Sequence, residues 1–217
     1  MSFAKYYSSK AVYSRVGRGR LNGILELIPK KDCPVLLDVG CGSGEVGRLI
    51  KERRDAKVFG IDVSLNAVDN AKRVLDGAYV CNLEDAVELP REIIGHHYDA
   101  IILSEVLEHL LEPEKLLQRL RAFGEVPVIV TVPNILFWKN RLKILFGNFT
   151  YTETGLMDRG HIHLFSWDTF QDAVVQGGYT IESTAHCIPT RGTGVLGQFF
   201  PGLFAYQFIV RILPVSN

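Results

Sequence analysis

The chain has 217 residues, enough for one large domain with a sizeable hydrophobic core. Lys plus Arg and Asp plus Glu both number 24, so the formal charge is zero and no overall basic field steers the protein to nucleic acid, which is not expected as a partner. The four cysteines, Cys33, Cys41, Cys81 and Cys187, form no C-x-x-C pair and match no zinc spacing, and the opening MSFAKYYSSK has no apolar leader core; free thiols in a reducing cytoplasm are expected.

In chain order, a helix is predicted up to about Ile28, preceded by a segment carrying Tyr6, Tyr7 and Tyr13. PVLLDVG (34–40) reads as a buried strand, EVGRLIKERR (45–54) as a helix and AKVFGIDV (56–63) as the next strand. Ser64 can cap a helix over 65–75 with Leu65, Val68, Ala71 and Leu75 on one face. GAYVCNL (77–83) is a third strand, and YDAIILSE (98–105), almost wholly apolar, is a fourth, covered on both faces. A helix over 113–123 starts near Pro113, and VPVIVTVP (126–133) is a fifth strand. A helix capped by Ser166 and stopped by Gly177 and Gly178 precedes strands around 180–187 and 205–213. The apolar C-terminal stretch is interrupted by Gln198, Pro201, Gln207 and Arg211, so a buried strand is expected there rather than a membrane span.

Strand–helix alternation of this kind predicts an α/β fold: one Rossmann-like, doubly wound domain over residues 1–217, with a mostly parallel seven-stranded sheet, helices on both faces and an antiparallel last strand. Ligands of such sheets lie beyond the carboxyl ends of the strands, which directs attention to the loops after Val39, Asp62, Asn82, Ser104 and Pro133.

The loop after the first strand carries two overlapping patterns. Gly42, Gly44 and Gly47 spell a dinucleotide-binding G-x-G-x-x-G, while Asp38, Gly40, Gly42 and Gly44 spell D-x-G-x-G-x-G, which suggests a sulfonium cofactor. The first frame buries Asp38 inside a two-sided strand, a costly place for a carboxylate without partners, whereas the second ends the strand near Val39 and sets Asp38 at the mouth of the site. The chain also has little length left for the substrate domain of a dehydrogenase, and Gly47 then reads as a close-packing residue of the following helix. Asp62, ending the second strand, can accept ribose hydroxyls in either frame.

LLDVGCGSG, FGIDVS, YVCNLEDAVELP and AIILSEVLEHLLEPEKLL resemble, in order and spacing, the motifs of class I S-adenosylmethionine-dependent methyltransferases. The resemblance implies S-adenosylmethionine as cofactor and S-adenosylhomocysteine as product. It sets Gly40, Cys41 and Gly42 under the methionine part with Asp38 near its amino group. Asp62 takes the ribose hydroxyls, Val63 flanks the adenine and Leu83 covers it. Asn82 stands where the family usually has an acid for the adenine amino group. Ser104 and Glu105 lie beside the sulfonium. His109, in EHL, matches a catalytic histidine of phosphobase methyltransferases, or packs the helix start against the site. The reaction implied is methyl transfer to oxygen or nitrogen of a small-molecule acceptor; a non-catalytic cofactor-binding module that keeps the fold is the rival reading.

Residues 134–165 form an insertion on the acceptor side, and residues 1–30 an N-terminal helical lid in which Tyr7 can line the substrate pocket. PNILFWKNRL and GLMDRGHIHLFS resemble a bacterial subgroup associated with sugar transferases, and PN…W…RL also resembles the MetW group, which assists a homoserine acyltransferase. Asp158, His161 and His163 make a compact D-x-x-H-x-H group. His161 can serve the acceptor as base or donor, with Asp158 and His163 beside it, or the group can order its loop; no fourth ligand is evident, so no metal is expected. The stretch 135–146 mixes Lys139, Arg141 and Lys143 with large apolar residues and reads as a helix packed on the domain, a dimer seam or a lid, with peripheral membrane contact at most. A monomer or homodimer is expected.

Overall fold

In the computed structural model, which describes residues 16–84, 89–189, 197 and 199–215, seven strands form one sheet in the order β3-β2-β1-β4-β5-β7-β6. The strands are β1 (Val35–Val39), β2 (Lys57–Asp62), β3 (Gly77–Val80), β4 (Ala100–Ser104), β5 (Val128–Pro133), β6 (Tyr179–Thr184) and β7 (Gln207–Pro214). β1 lies between β2 and β4, and all pairings from β3 to β5 are parallel. β7 inserts antiparallel between β5 and β6, as the sequence predicts for the last strand. The chain order reverses at β1 and β4, which makes their carboxyl ends the switch point.

The helices are α1 (Arg18–Leu27), α2 (Glu45–Arg53), α3 (Leu65–Ala71), α4 (Arg91–Ile94), α5 (Pro113–Leu120), α6 (Trp138–Leu145), α7 (Trp167–Gln176) and α8 (Pro201–Phe204). Alternation along β1 sorts the two cores. Leu37 and Val39 join the layer containing Leu116, Leu117 and Phe170 of α5 and α7, while Leu36 joins Ile24, Val46 and Val68 of α1, α2 and α3. Asp38 shares the face of Leu36 by the same period, so it points toward α1 and α2. No helix among the described residues is long and apolar enough to cross a membrane.

Caps fall where the sequence sets them. Ser64 accepts the Ala67 N–H, Ser166 and Thr169 form a reciprocal capping box, and Pro113 occupies the first turn of α5. The expected helix over 65–75 stops at Ala71, because Arg73 and Val74 donate to the carbonyls three residues back and tighten the chain. Leu75 is buried from this turn, but Leu65 is 60% exposed and takes no part in the expected apolar face.

The expectation that 135–146 packs its apolar side on the domain holds for its first part only. Ile135 and Phe137 are buried, whereas Leu142, Ile144, Leu145 and Phe146 of α6 and its end are exposed. The PN motif explains what anchors this region. Asn134 is fully buried, donates from Nδ2 to the carbonyls of Gly202 and Ala205, and accepts the Leu136 N–H. Arg141 adds donations to the carbonyls of Leu136 and Gly202. The motif thus ties the entrance of α6 to α8 and leaves the far end of the helix on the surface.

Candidate active site

A cavity of about 640 Å³ opens at the carboxyl ends of β1, β2 and β4. Its floor is the loop after β1. Gly40 and Gly42 take φ values of 75° and 53°, and the N–H groups of Gly40 and Cys41 both donate to the Ile61 carbonyl, at 2.8 and 3.0 Å. A Cβ on Gly40 would stand 2.6 Å from Val106 Cγ2, so both the left-handed backbone and the close approach demand glycine. Gly47 differs: its missing Cβ would meet Leu75 and Val58 at 2.5 and 2.8 Å, which makes it the packing residue the sequence suggests.

Asp62 closes this loop from β2. Its Oδ2 accepts the Gly42 N–H and its Oδ1 the Ser64 N–H, both at 2.9 Å. Burial raises its pKa and these backbone donors oppose the rise. The Val63 N–H also favours the carboxylate, lone pairs remain beyond these donors, and Asp62 and Val63 both line the cavity.

Asp38 does not lie at the mouth of the site. It is the penultimate residue of β1, 1% exposed and beneath the glycine loop. Neither of its oxygens makes a hydrogen bond of ordinary geometry; the Gly47 N–H in the first turn of α2 and the Arg20 guanidinium only favour its charge from nearby. Burial, with the neighbouring Asp62, pushes its carboxyl up to about 7. The sulfonium frame thus keeps the buried carboxylate that the sequence argument held against the dinucleotide frame.

At the end of β4, Glu105 adopts φ 59°, an uncommon conformation for a side-chain-bearing residue and one that clusters at functional sites. Its carboxylate is fixed from three sides: Thr131 Oγ1 donates to Oε1 at 3.0 Å, Gln207 Nε2 donates to Oε2 at 3.0 Å, and Arg20 Nη1 stands 3.5 Å from Oε2. Arg20 reaches the cavity from α1 and is itself buried.

The opposite wall is built by the 3₁₀ turn Leu107–His109 and the loop 152–163. Ile162 and His163 both donate their N–H to the Glu108 carbonyl, at 2.8 and 3.0 Å, which locks the loop to the turn. Asp158 Oδ1 accepts the Gly160 N–H at 2.7 Å, an ordering role within its own loop. The His109 and His161 rings meet edge to face with centroids 4.8 Å apart. Gly160 O can only accept, so His109 Nδ1, at 2.9 Å, carries the proton and Nε2 the lone pair.

Of the residues singled out from sequence, Gly40, Cys41, Gly42, Asp62, Val63, Leu83, Ser104, Glu105, His109, Asp158 and His161 share this one cavity. Asp38, Asn82 and His163 are outside its wall. Asn82 Oδ1 accepts the Glu84 N–H, and His163 stacks on Phe165 with Nε2 donating to the Leu111 carbonyl at 3.2 Å. Tyr7 lies outside the described residues. Sequence reasoning missed Arg20, Tyr206 and Gln207, which line the cavity from α1 and the start of β7. It quoted Glu108 without giving it a role; the signal was an acid in the otherwise apolar run VLEHL.

Comparison with known proteins places these features. A family model described as methionine biosynthesis protein MetW matches residues 18–210. The ubiquinone biosynthesis O-methyltransferase of Vibrio cholerae serotype O1 is 31% identical over 101 residues, 46% of this chain and 41% of that protein. The protein of the same name from Nitrosomonas europaea is 35% identical over 101 residues, 46% of this chain and 43% of that one. The chain thus spans about two fifths of the length of these curated relatives. Among solved structures, magnesium protoporphyrin IX methyltransferase from Synechocystis PCC 6803 with bound SAH superposes with TM-score 0.64 at 16% identity, covering 97% of each chain. An S-adenosylmethionine dependent methyltransferase from Mesorhizobium loti gives 0.59 at 17% identity, covering 89% of this chain and 99% of that one. At such identities the structural likeness establishes the fold, the class I methyltransferase sheet with its antiparallel seventh strand.

Proposed function

The chain belongs to the MetW family, and from that premise we propose that it is a methyltransferase that takes its methyl group from S-adenosylmethionine, delivers it to oxygen or nitrogen of a small molecule and releases S-adenosylhomocysteine. The observation that carries this reading is the Gly40–Gly42 loop tied to Asp62 at the floor of a cavity whose far wall holds two imidazoles. The methionine part lies over Gly40, Cys41 and Gly42, Asp62 takes the ribose hydroxyls and Val63 and Leu83 flank the adenine; Asn82, outside the cavity wall with its Oδ1 on the Glu84 N–H, can reach the adenine edge only if that contact opens. Arg20, a buried cation at the same end, is the partner for the cofactor carboxylate.

A sulfonium methyl is already activated for in-line displacement, so the protein's work is alignment and disposal of a proton. Ser104 and Glu105 end β4 beside the sulfur, and Glu105 is held too firmly by Thr131, Gln207 and Arg20 to drift. His109 and His161 line the acceptor end, where a hydroxyl or amine must lose its proton. Asp158 orders the loop that carries His161. The acceptor class is a sugar or sugar-linked intermediate, after the GLMDRGHIH motif. Titration with S-adenosylhomocysteine by calorimetry tests the cofactor half; no heat at millimolar ligand overturns it.

Family membership favours a second reading, a partner role in methionine biosynthesis. Of the two subgroups that the motifs resemble, the family match falls on MetW. Stoichiometric co-purification with a homoserine acyltransferase, with no methyl transfer to any acceptor, decides for this reading.

A further inference from the structure

Glu108 is fully buried, and neither of its carboxylate oxygens makes a hydrogen bond of ordinary geometry; its own backbone N–H only favours the charge from nearby. An unmet buried carboxylate costs several kcal/mol or gives up its charge, so its retention just behind the cavity wall, next to the lining residue His109, points to something it is there to meet. One ligand atom each from Glu108, His109 and His161 lie within 4.8 Å of one another. The Nδ1–H of His109 is anchored on the Gly160 carbonyl, which assigns the donor nitrogen to Nδ1 and the ligand nitrogen to Nε2; metal-binding imidazoles are oriented by this kind of outer hydrogen bond. Glu105 and Asp158 add negative potential at Glu108, and its own backbone N–H and Arg20 oppose it.

We propose that Glu108, His109 and His161 bind a first-row divalent cation at the acceptor end of the cavity, and that the cation holds an acceptor hydroxyl. The second half rests on the methyltransferase reading; metal binding does not. Two imidazoles and one carboxylate form a mixed donor set that suits zinc, manganese or iron better than magnesium or calcium, and three protein ligands leave positions open for water or acceptor. The coordinated hydroxyl loses its proton to solvent at lower pH than a free one. Its oxygen then forms the new O–C bond while the S–C bond of the sulfonium breaks and its electron pair stays on sulfur, giving a methyl ether and a neutral thioether. The histidines act through the cation rather than by taking the proton themselves. This reverses the expectation from sequence, which weighed Asp158, His161 and His163: the fold turns His163 away and brings in Glu108 and His109 instead.

The test strips the full chain with a chelator and titrates it with Mn²⁺ and Zn²⁺, followed by calorimetry and metal analysis of the dialysed protein. One equivalent of cation is expected, bound at least about tenfold more weakly by Glu108→Gln and His161→Ala and unchanged in His163→Ala. Glu108→Gln keeps the shape and removes a buried charge, so it is expected to fold at least as stably as the metal-free parent, and only the parent gains melting temperature on adding Mn²⁺ or Zn²⁺. A parent that binds neither cation, or a Glu108→Gln that binds like the parent, overturns the site. The same samples are titrated with S-adenosylhomocysteine. Cation binding without cofactor binding overturns the methyltransferase reading alone; cofactor binding without cation binding overturns the metal site alone.

Discussion

Gly42 donates its backbone N–H to Asp62 at 2.9 Å across 20 positions of sequence, so one carboxylate both shapes the glycine loop and offers its remaining lone pairs to the cavity. The two duties predict two losses in Asp62→Ala. Affinity for S-adenosylhomocysteine falls by about 1–3 kcal/mol through the missing hydroxyl contacts, and the orphaned Gly42 and Ser64 donors lower the melting temperature as well. Calorimetry and thermal melts on the same sample separate the effects. Unchanged affinity alongside a lowered melting temperature assigns Asp62 to the loop alone.

The two kinds of glycine in the same stretch give a sharper contrast. Gly47→Ala forces a methyl against Leu75 and Val58 in the sheet–helix interface and is expected to cost about 1–3 kcal/mol of stability while leaving cofactor affinity near the parent's. Gly40→Ala meets Val106 and a left-handed backbone together, so the loop must move. Its expected signature is a loss of S-adenosylhomocysteine binding larger than its loss of stability. Equal ratios in the two variants count against the loop as the cofactor's floor.

Asp38 makes stability depend on pH in a direction opposite to the usual carboxylate. Its folded value, about 7, lies above the ordinary 3.8, so the folded state holds the proton more tightly. The stability this gives is complete below about pH 4 and is lost as pH rises through 7. For a fully buried group the difference amounts to about 4 kcal/mol at most. Asp38→Asn keeps the shape and cannot ionise. Urea unfolding at pH 4.5, 6 and 8 is expected to show the variant gaining on the parent as pH rises; parallel profiles sink the prediction.

The glycine-loop side of the cavity was legible because it is local. A strand, a glycine loop and an acid ending the next parallel strand appear in sequence as LLDVGCGSG and FGIDVS, and parallel register brings them together without further information. The opposite wall was not. His109 meets Gly160 across 51 positions, and Glu108 gains its neighbours only because the loop carrying His161 hydrogen-bonds to its carbonyl. Spacing within D-x-x-H-x-H grouped His163 with His161, which an extended chain would set on one side, yet the chain bends at Ile162 and His163 turns to Phe165 and Leu111. Arg20 left no trace at all, since a buried arginine in an N-terminal helix is indistinguishable in sequence from a solvated one.

The surface of α6 carries the last prediction. Leu145 and Phe146 are 75% and 83% exposed, and Phe149 and Tyr151 continue the apolar strip beyond the helix. Lys139, Arg141 and Lys143 stand exposed on the same short helix. Apolar side chains beside cations match an anionic bilayer surface, where each nearby Lys or Arg contributes about 1 kcal/mol and buried apolar area adds to it. The protein is expected to float with vesicles containing anionic lipid, to stay behind with neutral ones, and to lose the interaction in the double variant Leu145→Ser, Phe146→Ser. High salt should weaken it, because the electrostatic part is screened within about 10 Å at 0.1 M. Absence of flotation with anionic vesicles rejects membrane contact. If the parent then sediments as a dimer and the double variant as a monomer, the strip is a seam between two copies of the chain.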